Sequence, residues 1–229
     1  MSVTTPAACK SADIFKPRGV TFSLLRPACP SNRQPSIAIM TTYIPSLTLP
    51  TSAFQHSATS VLLPIALGTA IGYGTKPDKT VKTYLDLKQP PLHPPPWLFG
   101  PVWTVLYGVM GYAAHRVASA GLLSLSPATV ATTQHSLTVY TIQLGLNLAW
   151  MPLFFGARRP IEATADLVAL LGLNGWLAYT WSAIDETAGW LQLPYLGWLA
   201  FATYLSAGAG YLNDWDMSDS ALEARKKVQ

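Results

Sequence analysis

The segment from Tyr84 to Ala114 reads YLDLKQPPLHPPPWLFGPVWTVLYGVMGYAA and decides the fold of the chain. It begins as a charged, proline-rich loop, and six prolines lie between Pro90 and Pro101. Proline fixes φ and disfavours helical backbone in the residue before it, so the loop is stiff and not helical before Trp97. From Trp97 the chain is apolar and meets no charge until Arg116. We interpret the segment as the roof and first wall of a ligand cavity at a membrane interface.

The composition indicates a membrane protein. Only 11% of the 229 residues are charged and 50% are hydrophobic, whereas soluble domains carry about 25% charged residues. Most of the long gaps between charged residues can hold the roughly 20 residues that a spanning helix requires. These gaps run from Arg33 to Lys76, Lys88 to Arg116, Arg116 to Arg158, Asp166 to Asp185 and Glu186 to Asp214. We therefore predict an integral, multi-pass membrane protein.

The pattern predicts an all-α membrane protein built as a five-transmembrane-helix bundle. The domain organisation that follows is an arm over residues 1–55, a membrane domain over 56–213 and a polar, basic tail over 214–229. The predicted spans are about Ala53 to Tyr73, Trp97 to Ala120, Gln134 to Phe155, Ile161 to Ala183 and Leu191 to Asn213.

Two spans carry stripes of aromatic or polar residues at helical spacing. Trp103 and Tyr107 lie four residues apart in the second span, and Gln143 and Asn147 lie four apart in the third. An unpaired amide facing lipid near mid-span would be costly, so Asn147 should face protein or a cavity. Gln143 could be its partner. The pair either ties helices together or contacts a ligand, and the sequence leaves both interpretations open.

The two ends of the chain bear on location. The arm is rich in Ser, Thr and Pro and has one acid, Asp13, which is typical of an organellar transit peptide. The alternatives are a disordered arm, or an extension that precedes a start at Met40. Basic residues cluster after the first span, after the third span and in the tail, so the positive-inside rule places the C-terminus in the cytosol.

The sequence lacks the motifs of several common kinds of functional site. Cys9 and Cys29 frame neither a disulfide scaffold nor a metal site, and there is no phosphate-binding glycine loop or nucleophile elbow. We predict no catalytic residues, no metal ligands and no required cofactor. The net charge of +4 suggests the anionic headgroups of a lipid bilayer as partner and no nucleic acid.

A set of motifs resembles the translocator protein (TspO/MBR) family, also called the peripheral-type benzodiazepine receptor family. The match covers about Leu62 to Asn213. It comprises Pro90, HPPPW at 93–97, GPVWTVLYGVMGYA at 100–113, VYTIQLGLNLAW at 139–150, PLFFGAR at 152–158, Asp166, Trp181 and PYLGWLAFAT at 194–203.

The resemblance implies a five-helix bundle, often a homodimer, in the outer mitochondrial membrane. It also implies a cavity under the first loop that binds tetrapyrroles, such as porphyrin or haem, and sterols. Family positions that line or cover the cavity fall on Tyr84, Pro90, Trp97, Trp103, Asn147, Trp150, Trp181 and Ala202, and the helical stripes add Tyr107 and Gln143 as candidate ligand-binding residues. The chain departs from the family at Leu92, Ser206, Ala207 and Tyr211, and the last two replace the Tyr and Arg of the animal cholesterol motif.

These observations support a non-catalytic binding protein or carrier for tetrapyrroles and sterols. Two alternatives remain open at this point. One is an enzyme that degrades tetrapyrroles with light and oxygen, and the other is an interaction scaffold that assembles with a channel partner in the outer mitochondrial membrane.

Overall fold

The computed structural model describes residues 47–218 and 220–221, and every regular element in these ranges is helical. The questions of a targeting arm, of a start at Met40 and of the basic residues 225–227 lie outside the described residues. In chain order the helices are α1 (Ser52–Gln55), α2 (Ser57–Gly74), α3 (Pro77–Asp86), α4 (Pro96–Gly121), α5 (Pro127–Met151), α6 (Pro160–Ile184) and α7 (Glu186–Leu212), and a π-helical turn (Pro152–Gly156) continues α5.

The prediction of an all-α membrane protein is confirmed. Within the described residues, three helical segments are long and apolar enough to cross a bilayer: Ser57–Gly74, Pro127–Gly156 and Pro160–Ile184. The helices α4 and α7 are the longest, with 26 and 27 residues, but they are richer in Trp, Tyr and Gly. Their length permits a span. The count of five spans therefore stays a prediction.

The helix boundaries follow from local sequence signals. A proline occupies the first position of α3, α4, α5 and α6, where its fixed φ suits the helix and its missing N–H is no loss. Ser126 caps α5 by accepting a hydrogen bond from the Thr129 N–H at 3.4 Å. Asp185 caps α7 in the same way, accepting from the Ala188 N–H at 2.8 Å.

The helix α4 forms the centre of the bundle and contacts α1, α2, α5, α6 and α7, while α6 and α7 form the most extensive antiparallel pair. Glycines allow the closest approaches. At Gly111 of α4 an added Cβ would lie 3.1 Å from Cα of Val61 and closer still to the Ser60 carbonyl group of α2. The Ser60 hydroxyl donates to the Gly111 carbonyl at 2.6 Å. This contact holds α2 flat against α4.

The folded region extends beyond both boundaries expected for the membrane domain. Before residue 56, Phe54 is buried and packs edge-on against Tyr140 of α5, with ring centroids 5.8 Å apart. After residue 213, Met217 is buried against Leu87 and Phe154. Composition suggested arms on both sides, but Phe54 and the partly buried Leu49 on one side and Met217 on the other are large apolar side chains that pack into the bundle.

An ion pair joins α4 to the α6–α7 turn at the end of the bundle remote from α3. The Arg116 guanidinium donates two hydrogen bonds to the Asp185 carboxylate, at 3.1 Å from Nε and 2.8 Å from Nη2. The hydrogen bond from Arg116 is the main cause that holds the pKa of Asp185 below its ordinary value, with a smaller contribution from the Ala188 N–H.

Candidate ligand cavity

A cavity of about 460 Å³ lies between α2, α3, α4, α7 and the α5 segment that includes the π-helical turn. Its volume is in the range of small-molecule sites. No ionisable side chain other than tyrosine belongs to the described lining. The lining residues of α2 and α3 are Gly68, Thr69, Gly72, Tyr73, Pro77, Thr80, Val81 and Tyr84, and those of the loop and α4 are Gln89, Pro96, Phe99, Gly100, Trp103, Thr104 and Tyr107. The rest are Asn147, Trp150, Met151, Phe154 and Phe155 of the α5 segment and Ala202, Leu205, Ser206 and Ala209 of α7.

The first wall of the cavity is aromatic and lies on α3 and α4. The Trp103 ring lies 5.4 Å from Tyr107 by centroid and 6.4 Å edge-on from Trp198 of α7. Phe99 lies between Tyr84 at 5.6 Å and Trp198 at 6.0 Å. Phe99, Trp103 and Tyr107 are four residues apart, so they stack on one helix face. We call Phe99, Trp103 and Tyr107 the α4 wall.

The second wall comes from the end of α5 and its π-helical turn. Trp150 and Phe154 stack at a centroid distance of 5.1 Å, and Phe154 meets Phe155 edge-on at 4.9 Å. A π-helical turn widens the helix by one residue, which allows two successive phenylalanines to reach the same cavity. We call Trp150, Phe154 and Phe155 the α5 wall.

Asn147 is a buried polar residue of the lining and it is fixed from both sides. The Tyr107 hydroxyl donates to its Oδ1 at 2.6 Å, and its Nδ2 donates to the Tyr195 hydroxyl at 2.9 Å. These bonds join α4, α5 and α7 below the aromatic walls. Both polar ends of the Asn147 amide therefore have hydrogen-bond partners, as buried polar groups normally do, while one side of the amide borders the cavity.

The roof is a strap, residues 87–95, fastened to α7 and α3. The Asn213 side chain pairs with the Lys88 backbone, accepting from its N–H at 3.2 Å and donating to its carbonyl at 2.9 Å. Farther along, the Tyr204 hydroxyl donates to the Pro91 carbonyl at 2.9 Å. The Tyr84 hydroxyl donates to the Pro94 carbonyl at 2.7 Å, and partial burial raises the pKa of Tyr84.

The structure brings one group of the predicted site residues together at this cavity. Their side chains reach it from α3, α4, α5 and α7, which are separated by up to about half the chain. This group consists of Tyr84, Trp103, Tyr107, Asn147, Trp150 and Ala202.

The other predicted site residues, Pro90, Trp97, Gln143 and Trp181, are not part of the lining. Pro90 is buried against α7, where an added Cβ on Gly208 would lie 2.8 Å from Cβ of Pro90. Trp97 is 71% exposed on the outside of α4. Gln143 and Trp181 have no exposed surface and lie deeper in the bundle core.

Sequence reasoning missed Phe99, Phe154, Gly68 and Gly72 as lining residues. The helical period could have found the first two, because Phe99 precedes Trp103 by four residues and Phe154 follows Trp150 by four. The four-residue spacing of Gly68 and Gly72 is also typical of a helix-packing face. Gly68 does pack against the Tyr107 ring, but Gly72 has no neighbour that an added Cβ would meet.

The family model described as the TspO/MBR family matches residues 60–212. The chain belongs to the TspO/MBR family. It is 44% identical over 163 residues to the translocator protein homolog of Schizosaccharomyces pombe, covering 71% of this chain and 95% of that protein. It is 38% identical over 141 residues to the human translocator protein, covering 62% of this chain and 80% of the human chain. A third TspO/MBR relative, the tryptophan-rich protein TspO of Archaeoglobus fulgidus, is 35% identical over 155 residues, or 67% and 94% of the two chains.

Proposed function

We propose that this TspO/MBR protein binds planar hydrophobic molecules in the cavity under the strap, tetrapyrroles such as porphyrin or haem above all and sterols as a second class. The observation that supports this proposal most strongly is that two aromatic walls line a cavity of about 460 Å³. Flat aromatic rings favour offset stacking and edge contacts with tryptophan and phenylalanine, worth about 0.5–1.5 kcal/mol each beyond burial. A macrocycle between the walls would make such contacts with both.

The surroundings of the cavity suit a molecule with an acidic edge. Four exposed lysines lie nearby: Lys76 directly before α3, Lys79 and Lys82 in α3, and Lys88 in the strap. Thr80, Val81 and Tyr84 of α3 line the cavity. An apolar ring could therefore be buried while its carboxylates meet ammonium groups at the headgroup level. A sterol lacks such an edge, and this chain has Ala207 and Tyr211 at the family's cholesterol motif, so we rank sterols second.

We propose a binding protein or carrier in preference to an enzyme. General acid–base catalysis requires a positioned titratable group close to the reacting atoms. Among the residues that the structure describes, the cavity lining offers tyrosines, amides and hydroxyls but no His, Cys, Asp, Glu, Lys or Arg. If illumination of the porphyrin complex under oxygen destroyed porphyrin faster than the same light does without the protein, this part of the proposal would be wrong.

We further propose the outer mitochondrial membrane as the location, with the C-terminus in the cytosol and the chain as a homodimer. The orientation is supported by the basic residues of α3, the strap and Arg158–Arg159, since all of these flank the same end of the bundle as the cavity. The location and the dimer follow from the family resemblance. Protease protection of a C-terminal epitope in isolated mitochondria would test the orientation.

Binding is tested by titrating the full chain in lipid nanodiscs with protoporphyrin and following the quenching of tryptophan fluorescence. Trp103→Ala removes a ring of the α4 wall and should raise Kd by roughly 2- to 13-fold, which corresponds to about 0.5–1.5 kcal/mol. Trp97→Ala is the matched control, because Trp97 is 71% exposed and outside the cavity. Equal Kd values for wild type, Trp103→Ala and Trp97→Ala would place the ligand elsewhere.

A further inference from the structure

Below the cavity, hydrogen-bonded side chains continue into the centre of the bundle. The first links are the bonds of Asn147 to Tyr107 and Tyr195 described above. The Tyr195 hydroxyl then donates to Oε1 of Gln143 at 3.2 Å, and Nδ2 of Asn174 donates to the same oxygen at 3.2 Å. The chain of bonds thus connects α4, α5, α7 and α6.

This network borders a group of buried polar atoms that have no hydrogen-bond partner among the described residues. The side chains concerned are 0% exposed, except for Tyr140 at 1%. The atoms are Nε2 of Gln143, Oδ1 of Asn174, the Tyr140 hydroxyl, Nε1 of Trp181 and both amide atoms of Gln192.

Contacts and helix register place these atoms in one continuous stretch of the bundle core, which is about 10 Å long because Asn174 and Trp181 are seven residues apart on α6. The Tyr140 and Trp181 rings are 5.8 Å apart by centroid. Tyr140 precedes Gln143 by three residues, and Gln192 precedes Tyr195 by three, so each pair lies on one helix face about 4.5 Å apart along the axis. An added Cβ on Gly189 would lie 2.6 Å from Cβ of Ser182, which sets the α6–α7 register and puts Trp181 beside the turn before Gln192. We call Tyr140, Gln143, Asn174, Trp181 and Gln192 the polar chamber.

The chemistry of the polar chamber restricts what can fill it. Its unpartnered atoms include donors on Gln143, Trp181 and Gln192, acceptors on Asn174 and Gln192, and a hydroxyl that does both. An apolar ligand would leave all of them unsatisfied, and each unsatisfied buried group costs stability. Water both donates and accepts, and buried water makes about three hydrogen bonds to such groups.

We propose that the polar chamber is a binding site for a small cluster of water molecules in the middle of the membrane bundle. The cluster joins the hydrogen-bond network at Gln143 and Asn174, so the polar path runs from the cavity at Asn147 to Trp181, one turn from Asp185. The site is independent of which molecule the cavity binds. The competing arrangement is a dry chamber in which the side chains bond one another directly or stay unpaired.

Removing a single hydroxyl distinguishes the two arrangements. In a hydrated chamber Tyr140→Phe removes a water ligand and leaves the bound water with one partner fewer, so the thermal unfolding midpoint in nanodiscs falls. In a dry chamber whose Tyr140 hydroxyl stays unpaired, the same change removes an unsatisfied buried group, and the midpoint rises or stays the same, which would overturn the proposal. A dry chamber whose side chains bond one another directly would also lose stability, and the footprinting below distinguishes it from a hydrated one. Tyr179→Phe is the matched control, because Tyr179 is 79% exposed and its hydroxyl already meets solvent or headgroups.

Radiolytic footprinting gives a second test on the wild-type chain. X-rays convert bound water to hydroxyl radical, which labels the side chains that touch it even when they are buried. We expect Trp181 and Tyr140 to be labelled faster than Met217, which is equally inaccessible at 1% exposure and carries a more reactive sulfur. Labelling of Trp181 and Tyr140 at or below the rate of Met217 would show a dry chamber.

A substitution then tests whether the labelling comes from water held in the polar chamber. Gln192→Met keeps the length of the side chain but removes both amide atoms, and we expect it to lower the labelling of Trp181 and Tyr140 several-fold. Gln134→Met makes the same change near the start of α5, at a partly exposed position, and should leave both rates unchanged. Equal labelling in wild type and Gln192→Met would show that the radical source is not water held in the chamber.

Discussion

The substitution Gly68→Ala should narrow the cavity from its α2 side by displacing Tyr107. An added Cβ on Gly68 would lie 2.8 Å from Cζ and 2.9 Å from Cδ2 of the Tyr107 ring, and closer still to Cε2. Ordinary contact begins at 3.4 Å, so the ring must move by more than 0.6 Å, the difference between 3.4 Å and 2.8 Å. We expect the ring to move away from α2, towards the space that the ligand is proposed to occupy, because Tyr107 lines the cavity.

The displacement has a calculable consequence for binding. The Tyr107 hydroxyl donates to Asn147 at 2.6 Å, and a shift of this size stretches that bond beyond good geometry. Hydrogen bonds between membrane helices are worth about 0.6 kcal/mol on average and about 1.7 kcal/mol at most. If the ligand must restore the arrangement of Tyr107 and Asn147, its Kd rises by roughly 3- to 18-fold.

The assay compares Gly68→Ala with Gly72→Ala in the protoporphyrin titration. Gly72 also lines the cavity one turn farther along α2, but an added Cβ there meets nothing within 4 Å. Both changes give the helix the same gain in intrinsic propensity, so this effect cancels. A weaker affinity in Gly68→Ala alone is expected. Identical affinities in both variants, with the helical circular dichroism unchanged, would refute the role assigned to the Tyr107 side of the cavity.

Three further predictions concern the frame around the cavity. Gly111→Ala should lower the thermal unfolding midpoint, because overpacking against α2 costs about 1–3 kcal/mol. Gly108→Ala should not lower it, because an added Cβ there would lie 3.7 Å from its nearest neighbour, Cδ1 of Ile65. Equal midpoints in the two variants would contradict the close α2–α4 contact. Asn213→Ala should speed amide exchange in the strap, read by mass spectrometry, because the Lys88 backbone loses both partners; unchanged exchange would show that the strap is held elsewhere. Arg116 lowers the pKa of Asp185 in the folded state, so the ionised Asp185 carboxylate stabilises the fold. This stabilisation is fully present above the unfolded-state pKa of about 3.9 and is lost as the pH falls through the lower folded-state pKa. The difference in unfolding midpoint between wild type and Asp185→Asn should therefore shrink in acid, and a difference independent of pH would refute the ion pair.

The sequence predicted the long helices well where an apolar stretch is the signal. The predicted span from Trp97 to Ala120 agrees with α4 to within one residue at each end. The helix α5 begins seven residues before the predicted Gln134, because Pro127 and the Ser126 cap start a helix that is not yet apolar. The helix α3 was missed for a related reason, whereas α1 overlaps the start of the first predicted span. The segment of α3 is charged, and a hydropathy criterion interprets a wet amphipathic helix as a loop.

The candidate site was predictable only to the level of a helix face. Four-residue spacing put Trp103 and Tyr107 on one face of α4, and Gln143 and Asn147 on one face of α5. Spacing cannot say which neighbour a face meets. Trp181 is on the inner face of α6, but that face meets Tyr140 and the core, whereas the lining of the cavity comes from other helices. The π-helical turn that aims Phe155 inward has no signal in hydropathy at all.

The most direct test of the central claim is to find where a porphyrin lies. A protoporphyrin derivative that carries a diazirine is bound to the full chain in nanodiscs, activated by light and located by peptide mass spectrometry. We predict adducts on the α4 wall and the α5 wall that disappear when excess unlabelled protoporphyrin is added. Adducts confined to outward-facing side chains such as Tyr179, or adducts that excess porphyrin does not remove, would contradict a ligand site between the two aromatic walls.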